Sequence, residues 1–307
     1  MDKKLKDNNP KEIFGCGLLM GMADAVPGVS GGTIALILGI YDRLLHFLST
    51  CVSFVKDGFP NEKRDKFVVS IYFLLPLGLG MFFSYYFVTK LLVGSDANPG
   101  LLMDKSTAPQ IYSFFFGLVF LSVKEPWSFV NNPTSKNYLS ALVGIIVVFV
   151  YTRFPIDDTS NILLIISGIL ALTAMLLPGI SGALVLLTLG LYEEIVGYVH
   201  NLELIPLSYF FLGGIISLFT FVPFMNKMLN NHKELTMSIL SGLMVGSLIT
   251  LWPWKEEYGT GSLPDNLPLN QIIEEFNLIS LIITFFFFII GALSSYGIKY
   301  FEKKLAN

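Results

Sequence analysis

Charge is scarce in this chain. Asp, Glu, Lys and Arg make up 14% of its 307 residues, against about a quarter in an ordinary soluble domain. Cysteine is scarcer still: Cys16 and Cys51 stand alone, which gives neither a disulfide framework nor a zinc motif. The three histidines, His46, His200 and His232, are too scattered for a metal site. Basic residues are few and sit near the ends of apolar runs, so no nucleic-acid partner is expected. The basic start, "MDKKLKDNNPKEIFGCGLLMG", reaches Asp24 and Pro27 without a small-residue cleavage site. That predicts no cleavable signal peptide.

Apolar residues fill the space that charge leaves. They make up 53% of the chain, and the mean hydropathy is +0.65. They cluster at 12–25, 31–49, 67–90, 108–124, 137–153, 161–177, 183–200, 207–226, 235–253 and 276–298. Crossing a bilayer takes about 20 apolar residues, so the sequence predicts an all-α, multi-pass membrane protein. Most of the 27 phenylalanines, "FFFF" at 285–288 included, should face lipid or fill the bundle.

Two stretches interrupt the pattern. Residues 23–42 read "ADAVPGVSGGTIALILGIYD" and residues 174–193 read "AMLLPGISGALVLLTLGLYE". Val26–Asp42 and Leu177–Glu193, aligned at an offset of 151, are identical at eight of 17 positions. A weaker match at an offset of 125 pairs Ser113, Gly117, Leu118, Ser122 and Trp127 with Ser238, Gly242, Leu243, Ser247 and Trp252. The chain therefore reads as a single membrane domain built by duplication, with repeats at about 12–155 and 160–301. In each repeat the two short apolar segments flanking the break read as a re-entrant hairpin, or else as two tilted spans; three full spans follow. Three is odd, so the second repeat is expected to be inverted. Placing the N-terminus in the cytoplasm leaves Lys90, Lys105, Arg153 and Lys255 outside and the other 16 of the 20 Lys and Arg residues inside, as the positive-inside rule asks. Both termini are then cytoplasmic.

Matched broken helices in inverted repeats point to a transporter's binding site. Pro27 and Pro178 end the preceding helix, having no N–H to continue it. A helix starting after the break carries unpaired N–H groups and the positive end of its dipole. Gly28, Ser30, Gly31, Gly32 and Thr33 in the first break, and Gly179, Ser181, Gly182 and Ala183 in the second, are the candidate anion-binding residues, suited to phosphate or carboxylate. Ser30 and Ser181 can cap the new helices or contact a ligand. No lysine follows the glycines, so this is not a nucleotide-binding P-loop. Asp24, ionisable at membrane depth, is a candidate proton relay or a structural cap. Met175 takes its place in the second repeat. Arg43 and Arg153 are candidate phosphate contacts on the inner and outer sides. Asp42, Glu193 and Glu194 read as interfacial charges. No catalytic residue, cofactor or metal is expected.

The paired "VPGVSGGT…GIYD" and "LPGISGA…GLYE" motifs resemble those of the bacterial polyprenyl-phosphate transporter family, over about Ile13 to Tyr300. The second motif departs from the first at Ala183 and Leu184, which stand where the first has Gly32 and Thr33. The resemblance implies return of undecaprenyl phosphate from the outer to the inner leaflet of the cytoplasmic membrane, for reuse in peptidoglycan and envelope polymer synthesis. Proton coupling is a further expectation. A transporter of a small soluble anion is the alternative. A membrane-embedded lipid phosphatase is a weaker one, since no histidine nucleophile lies near either break.

Overall fold

Backbone amides in hydrocarbon find no water, so apolar runs there close their hydrogen bonds within helices. The computed structural model describes residues 9–26, 29–95, 98–151, 160–258 and 265–305. The described residues form helices, an antiparallel pairing of two-residue strands, β1 (Gly94–Ser95) and β2 (Asn98–Pro99), and an isolated antiparallel bridge between Lys255 and Asn266. The first half runs α1 (Pro10–Asp24), α2 (Gly31–Ile37), α3 (Tyr41–Lys56), α4 (Arg64–Val93), α5 (Ala108–Ser122), α6 (Lys124–Trp127) and α7 (Ser135–Tyr151). The second runs α8 (Asn161–Leu176), α9 (Gly182–Thr188), α10 (Tyr192–Asn201), α11 (Leu204–Asn231), α12 (Lys233–Ser247), α13 (Leu269–Glu275) and α14 (Leu278–Leu305). Three short helices followed by a long one begin each half.

Local chemistry sets the ends of these helices. Pro10 opens α1, where its missing N–H is no loss. Ser160 caps α8 by accepting from the Leu163 N–H at 3.2 Å. The segments 31–49 and 183–200 were expected to be single limbs, but each breaks a second time. Gly39, at φ 65°, ends α2, and Gly190, at φ 68°, ends α9. Gly39 N–H donates to Leu36 O and Ile40 N–H to Ala35 O; Gly190 N–H and Leu191 N–H do the same to Leu187 O and Leu186 O. This is the Schellman stop, which requires a left-handed residue that glycine adopts freely. Consequently α2 and α3 meet at a bend of 118°.

Among the described residues three helices are long and apolar enough to cross a membrane: Asn61–Leu92, Leu204–Asn231 and Leu278–Gly297, with a fourth if the bent pair Gly31–Ile37 and Tyr41–Lys56 counts as one span. The expected spans at 67–90, 207–226 and 276–298 correspond to these. Ser135–Val150 and Asn161–Leu176 are apolar but shorter. The expected spans at 108–124 and 235–253 stop at Ser122 and Ser247, as α5 and α12. There the serine hydroxyls bond back to Leu118 O and Met244 O, a competition with the helix ladder that favours bending and termination.

The short helices sit inside and the long ones outside. Residues of α1–α3 and α8–α10 make up much of the buried core. The long helices expose an apolar belt that includes Leu75, Leu79, Phe82 and Phe83 on α4 and Phe285 and Phe286 on α14. Such a belt suits lipid, not water. Phe288 instead packs on Phe116 and Phe120.

Packing repeats across the halves. Helix α1 lies on α4 as α8 lies on α11, and α5 of the first half packs on α14 as α12 of the second packs on α7. Glycines allow these close crossings: a Cβ on Gly117 would strike the Phe288 carbonyl, and one on Gly242 the Ala141 carbonyl. Polar pairs tie the same interfaces. Asn137 Nδ2 donates to Ser238 Oγ at 3.1 Å, and Ser113 Oγ to Thr284 O at 2.7 Å. Such bonds average about 0.6 kcal/mol in membrane proteins, so they set register more than stability.

Candidate functional site

A helix that stops inside a membrane leaves carbonyls in need of donors. Here the two breaks satisfy each other. Tyr41 Oη donates to Leu176 O at 2.9 Å, and Tyr192 Oη to Ala25 O at 3.1 Å. Ser30 Oγ donates to Leu177 O at 3.0 Å, and Ser181 Oγ to Val26 O at 3.4 Å. Tyr41 and Tyr192 are 151 residues apart, as are Ser30 and Ser181, Ala25 and Leu176, and Val26 and Leu177. The four bonds are thus two reciprocal pairs. Both tyrosines and both serines are buried to 2% exposure or less.

Each serine also caps its helix. Ser30 Oγ accepts from Gly32 N–H at 3.1 Å and Ser181 Oγ from Leu184 N–H at 3.3 Å. Both capping and cross-repeat bonding therefore occur at once. Thr33 Oγ1 accepts from Gly179 N–H at 2.9 Å, a bond that Leu184 at the equivalent position has no oxygen to copy. Gly179 sits at φ 90°, and a Cβ on it would strike the backbone of Leu243 and Met244, so only glycine fits. Gly32 faces Met175 O and Pro178 N, each about 3.0 Å or slightly more from where a Cβ would stand. Ala183 is accommodated at the equivalent place, 5% exposed.

Asp24 closes α1 and is 2% exposed. Its Oδ1 accepts from Gly31 N–H at 2.7 Å, while its Oδ2 has no partner among the described residues. A Cβ on Gly31 would land on that carboxylate. In the second break the Met175 side chain covers Gly182 in the same way.

Arg43, at the start of α3, lays its guanidinium over Phe73 at 5.0 Å and Phe47 at 5.8 Å. Among the described residues its Nε has no hydrogen-bond partner, and it joins none of the three ion pairs. Asp42 pairs with Lys233 on α12 at 2.9 Å, both exposed. Pro27, Gly28 and Arg153 lie outside the described residues. Pro178 is buried beside Gly179. The breaks therefore bring together Asp24, Ser30, Gly31, Gly32, Thr33, Gly179, Ser181, Gly182 and Ala183, while Arg43 stands apart on α3.

Two features escaped the sequence reading. The tyrosines of the "GIYD" and "GLYE" motifs were aligned but given no role; their identical spacing from the breaks was the available signal. Lys255 was counted only as an outer charge, yet it is 2% exposed. Its position between Trp254 and two glutamates gives no hint of that.

A family model described as undecaprenyl phosphate translocase-like matches residues 20–263. The chain belongs to that family. It is 35% identical over 264 residues to a polyprenyl-phosphate transporter of Vibrio cholerae, covering 83% of this chain and 82% of that one. It is 30% identical over 258 residues to a polyprenyl-phosphate transporter of Staphylococcus aureus, covering 77% and 84%. No solved structure matches. Both breaks fall inside the residues matched by the translocase-like family model, and family and apolar helices together make this a membrane protein.

Proposed function

We propose that this protein carries undecaprenyl phosphate, or a related polyprenyl phosphate, from the outer to the inner leaflet of the bacterial cytoplasmic membrane. Its termini are cytoplasmic, its two repeats are inverted, and it works as a carrier and not as an enzyme. The observation that carries the reading is the reciprocal lock between the breaks, with Asp24 buried in it. A phosphate monoester cannot cross hydrocarbon unaided, since burying its charge without partners is prohibitive. It needs donors at mid-membrane and a scaffold that opens first to one side, then to the other.

The lock supplies both. Asp24 Oδ1 occupies the Gly31 N–H, where a phosphate oxygen would be received. In this resting arrangement the carboxylate stands in for the ligand. An arriving phosphate takes over the Gly31 and Gly32 N–H groups, and Asp24 turns away, its free Oδ2 accepting a proton as it goes. That proton is the coupling step of the proposal. The cross-repeat bonds from Tyr41, Tyr192, Ser30 and Ser181 are neutral and hence individually weak, about 1 kcal/mol each. They can break on one side while those on the other hold. The tail stays in lipid beside the exposed apolar belt, and Arg43 receives the head on the cytoplasmic side.

The test is leaflet exchange of undecaprenyl phosphate in liposomes holding the purified protein, with and without a pH gradient. Fast exchange lost in Gly31→Leu supports the reading. Exchange no faster than in empty liposomes, from folded protein, rejects it in favour of a soluble-anion carrier.

A further inference from the structure

A proline inside a helix has no N–H to give, so the carbonyl four residues earlier loses its donor. In lipid that carbonyl needs another donor, because no water reaches it. Helix α11, long and apolar enough to span, holds Pro223 in its interior. The carbonyl set free is that of Phe219. Lys56, the last residue of α3, fills the vacancy: its Nζ donates to Phe219 O at 2.8 Å. The ammonium also lies over the Phe219 ring, 5.9 Å from its centroid. Lys56 joins none of the three ion pairs among the described residues, and the acid beside it, Asp57, is held by Lys63.

A second contact lies on the other side of the proline. Asn226 Nδ2 donates to Ser49 Oγ at 3.3 Å. Ser49 and Lys56 are seven residues apart on α3, and Phe219 and Asn226 are seven apart on α11, so each pair shares one helix face. The two contacts straddle Pro223 as a splint straddles a joint. At its other end α3 begins with Tyr41, which donates to Leu176 O where α8 stops. Helix α8 is itself tied to α11, Thr173 Oγ1 and Ser217 Oγ lying 2.8 Å apart. Helix α3 of the first half thus grips both members of the α8–α11 pair. Lys56 is exposed, so its ammonium can let go of Phe219 O and reach water or headgroups without a charge being left buried.

We propose that Pro223 is a hinge in α11 and that Lys56 is its latch. With Lys56 on Phe219 O and Asn226 on Ser49, α11 is held in its present shape. Release of Lys56 lets α11 bend at Pro223, while Tyr41 keeps α8 on the first break. The inference rests on the transport reading for what the bending serves, and adds to it a moving part outside the breaks. Lys56 is a positioning residue and touches no ligand.

The experiment uses the full chain in liposomes and two readouts. One is leaflet exchange of undecaprenyl phosphate. The other is the distance across the hinge, read by electron paramagnetic resonance between spin labels at Ser208→Cys and Lys227→Cys, with Cys16 and Cys51 replaced by alanine. Both label sites are exposed and flank Pro223 on α11. Lys56→Met should broaden the distance distribution and speed exchange severalfold. Lys56→Arg keeps a donor and should restore both. Pro223→Ala returns an N–H to Phe219 O and stiffens the hinge, so exchange should fall severalfold, and Lys56→Met should add nothing on that background. A lysine that merely satisfied a carbonyl would predict the reverse, wild-type exchange in Pro223→Ala. That result overturns the proposal, and so does an unchanged distance distribution in folded Lys56→Met. Pro223→Ala adds a hydrogen bond and removes none, so it decides the matter even where Lys56→Met fails to fold. Lipid exchange in the wild type with no response of the distances to Lys56 sinks this inference alone. Distances that respond as expected, with no lipid exchange in the wild type, sink the transport reading and leave the hinge standing.

Discussion

The two breaks share a shape and differ in chemistry. Each ends in a serine-capped seven-residue helix. Each lends a serine and a tyrosine hydroxyl to the other's carbonyls. Yet the first holds Asp24 over Gly31, and the second holds Met175 over Gly182. The first has Thr33 to receive Gly179 N–H; the second has Leu184. Symmetry is kept where the backbone must be satisfied and dropped where charge would have to be buried twice. A second carboxylate would face the same desolvation cost. The hydrogen bonds between the breaks are paired at the same spacing, whereas the side chains over Gly31 and Gly182 differ.

The sharpest way to break this picture is to fill the two glycine seats in turn. Gly31→Ala drives a methyl into the Asp24 carboxylate, whereas Gly182→Ala meets the flexible Met175 chain and Ala171 O. Exchange in liposomes should fall about a hundredfold for the first, a loss of the size that a 1 Å misplacement of a positioned group can cause. The second should fall severalfold. Equal losses would mean that the two breaks bind equally.

Next is the charge itself. Asp24→Asn keeps an oxygen for Gly31 N–H but cannot ionise. Exchange should persist at a reduced rate and lose its response to a pH gradient, measured in the same liposomes. Asp24→Met makes the first break copy the second and strands the Gly31 N–H, so it should also destabilise by roughly 1–3 kcal/mol. A pH response that survives Asp24→Asn would remove the proton step.

The symmetric part is tested by Tyr41→Phe and Tyr192→Phe. Each removes one donor from one carbonyl, Leu176 O or Ala25 O. Both should lower stability by a similar amount, about 1 kcal/mol, in thermal melts in detergent. Unequal effects would show that the lock is lopsided as well.

Lys255 offers a pH test outside the spanning helices. Burial lowers its ammonium from the usual 10.5 to about 8. Below pH 8 it is charged in folded and unfolded chains alike, so the folded state bears the full desolvation penalty. Between about 8 and 10.5 the unfolded chain holds the proton and the folded one does not, so stability rises with pH. Lys255→Met should therefore melt higher than the wild type at pH 7, and the gap should narrow by pH 10. The smallest effect is expected at the periphery. Asp42→Asn removes an exposed pair with Lys233 and should change stability by no more than about 0.5 kcal/mol.

Much of this molecule could be read from residues alone. Low charge and long unbroken apolar runs dictate membrane helices, because a helix closes its backbone hydrogen bonds within one such run. Two glycine-rich interruptions at an offset of 151 mark the breaks. Ser30 and Ser181 announce themselves as caps from their place before a helix. The second stop, at Gly39 and Gly190, was visible as an aligned glycine but was read through, because the apolar run continues past it. Only the tertiary structure decided where the freed groups go. The carbonyls at 25, 26, 176 and 177 find donors about 150 residues away, a pairing that no local pattern encodes. The same holds for Lys255. Its composition says surface, and its burial comes from the fold of a loop over Tyr112. Periodicity and breakers act over a few residues, so sequence fixes them; the environment of a charge is a property of whatever packs around it.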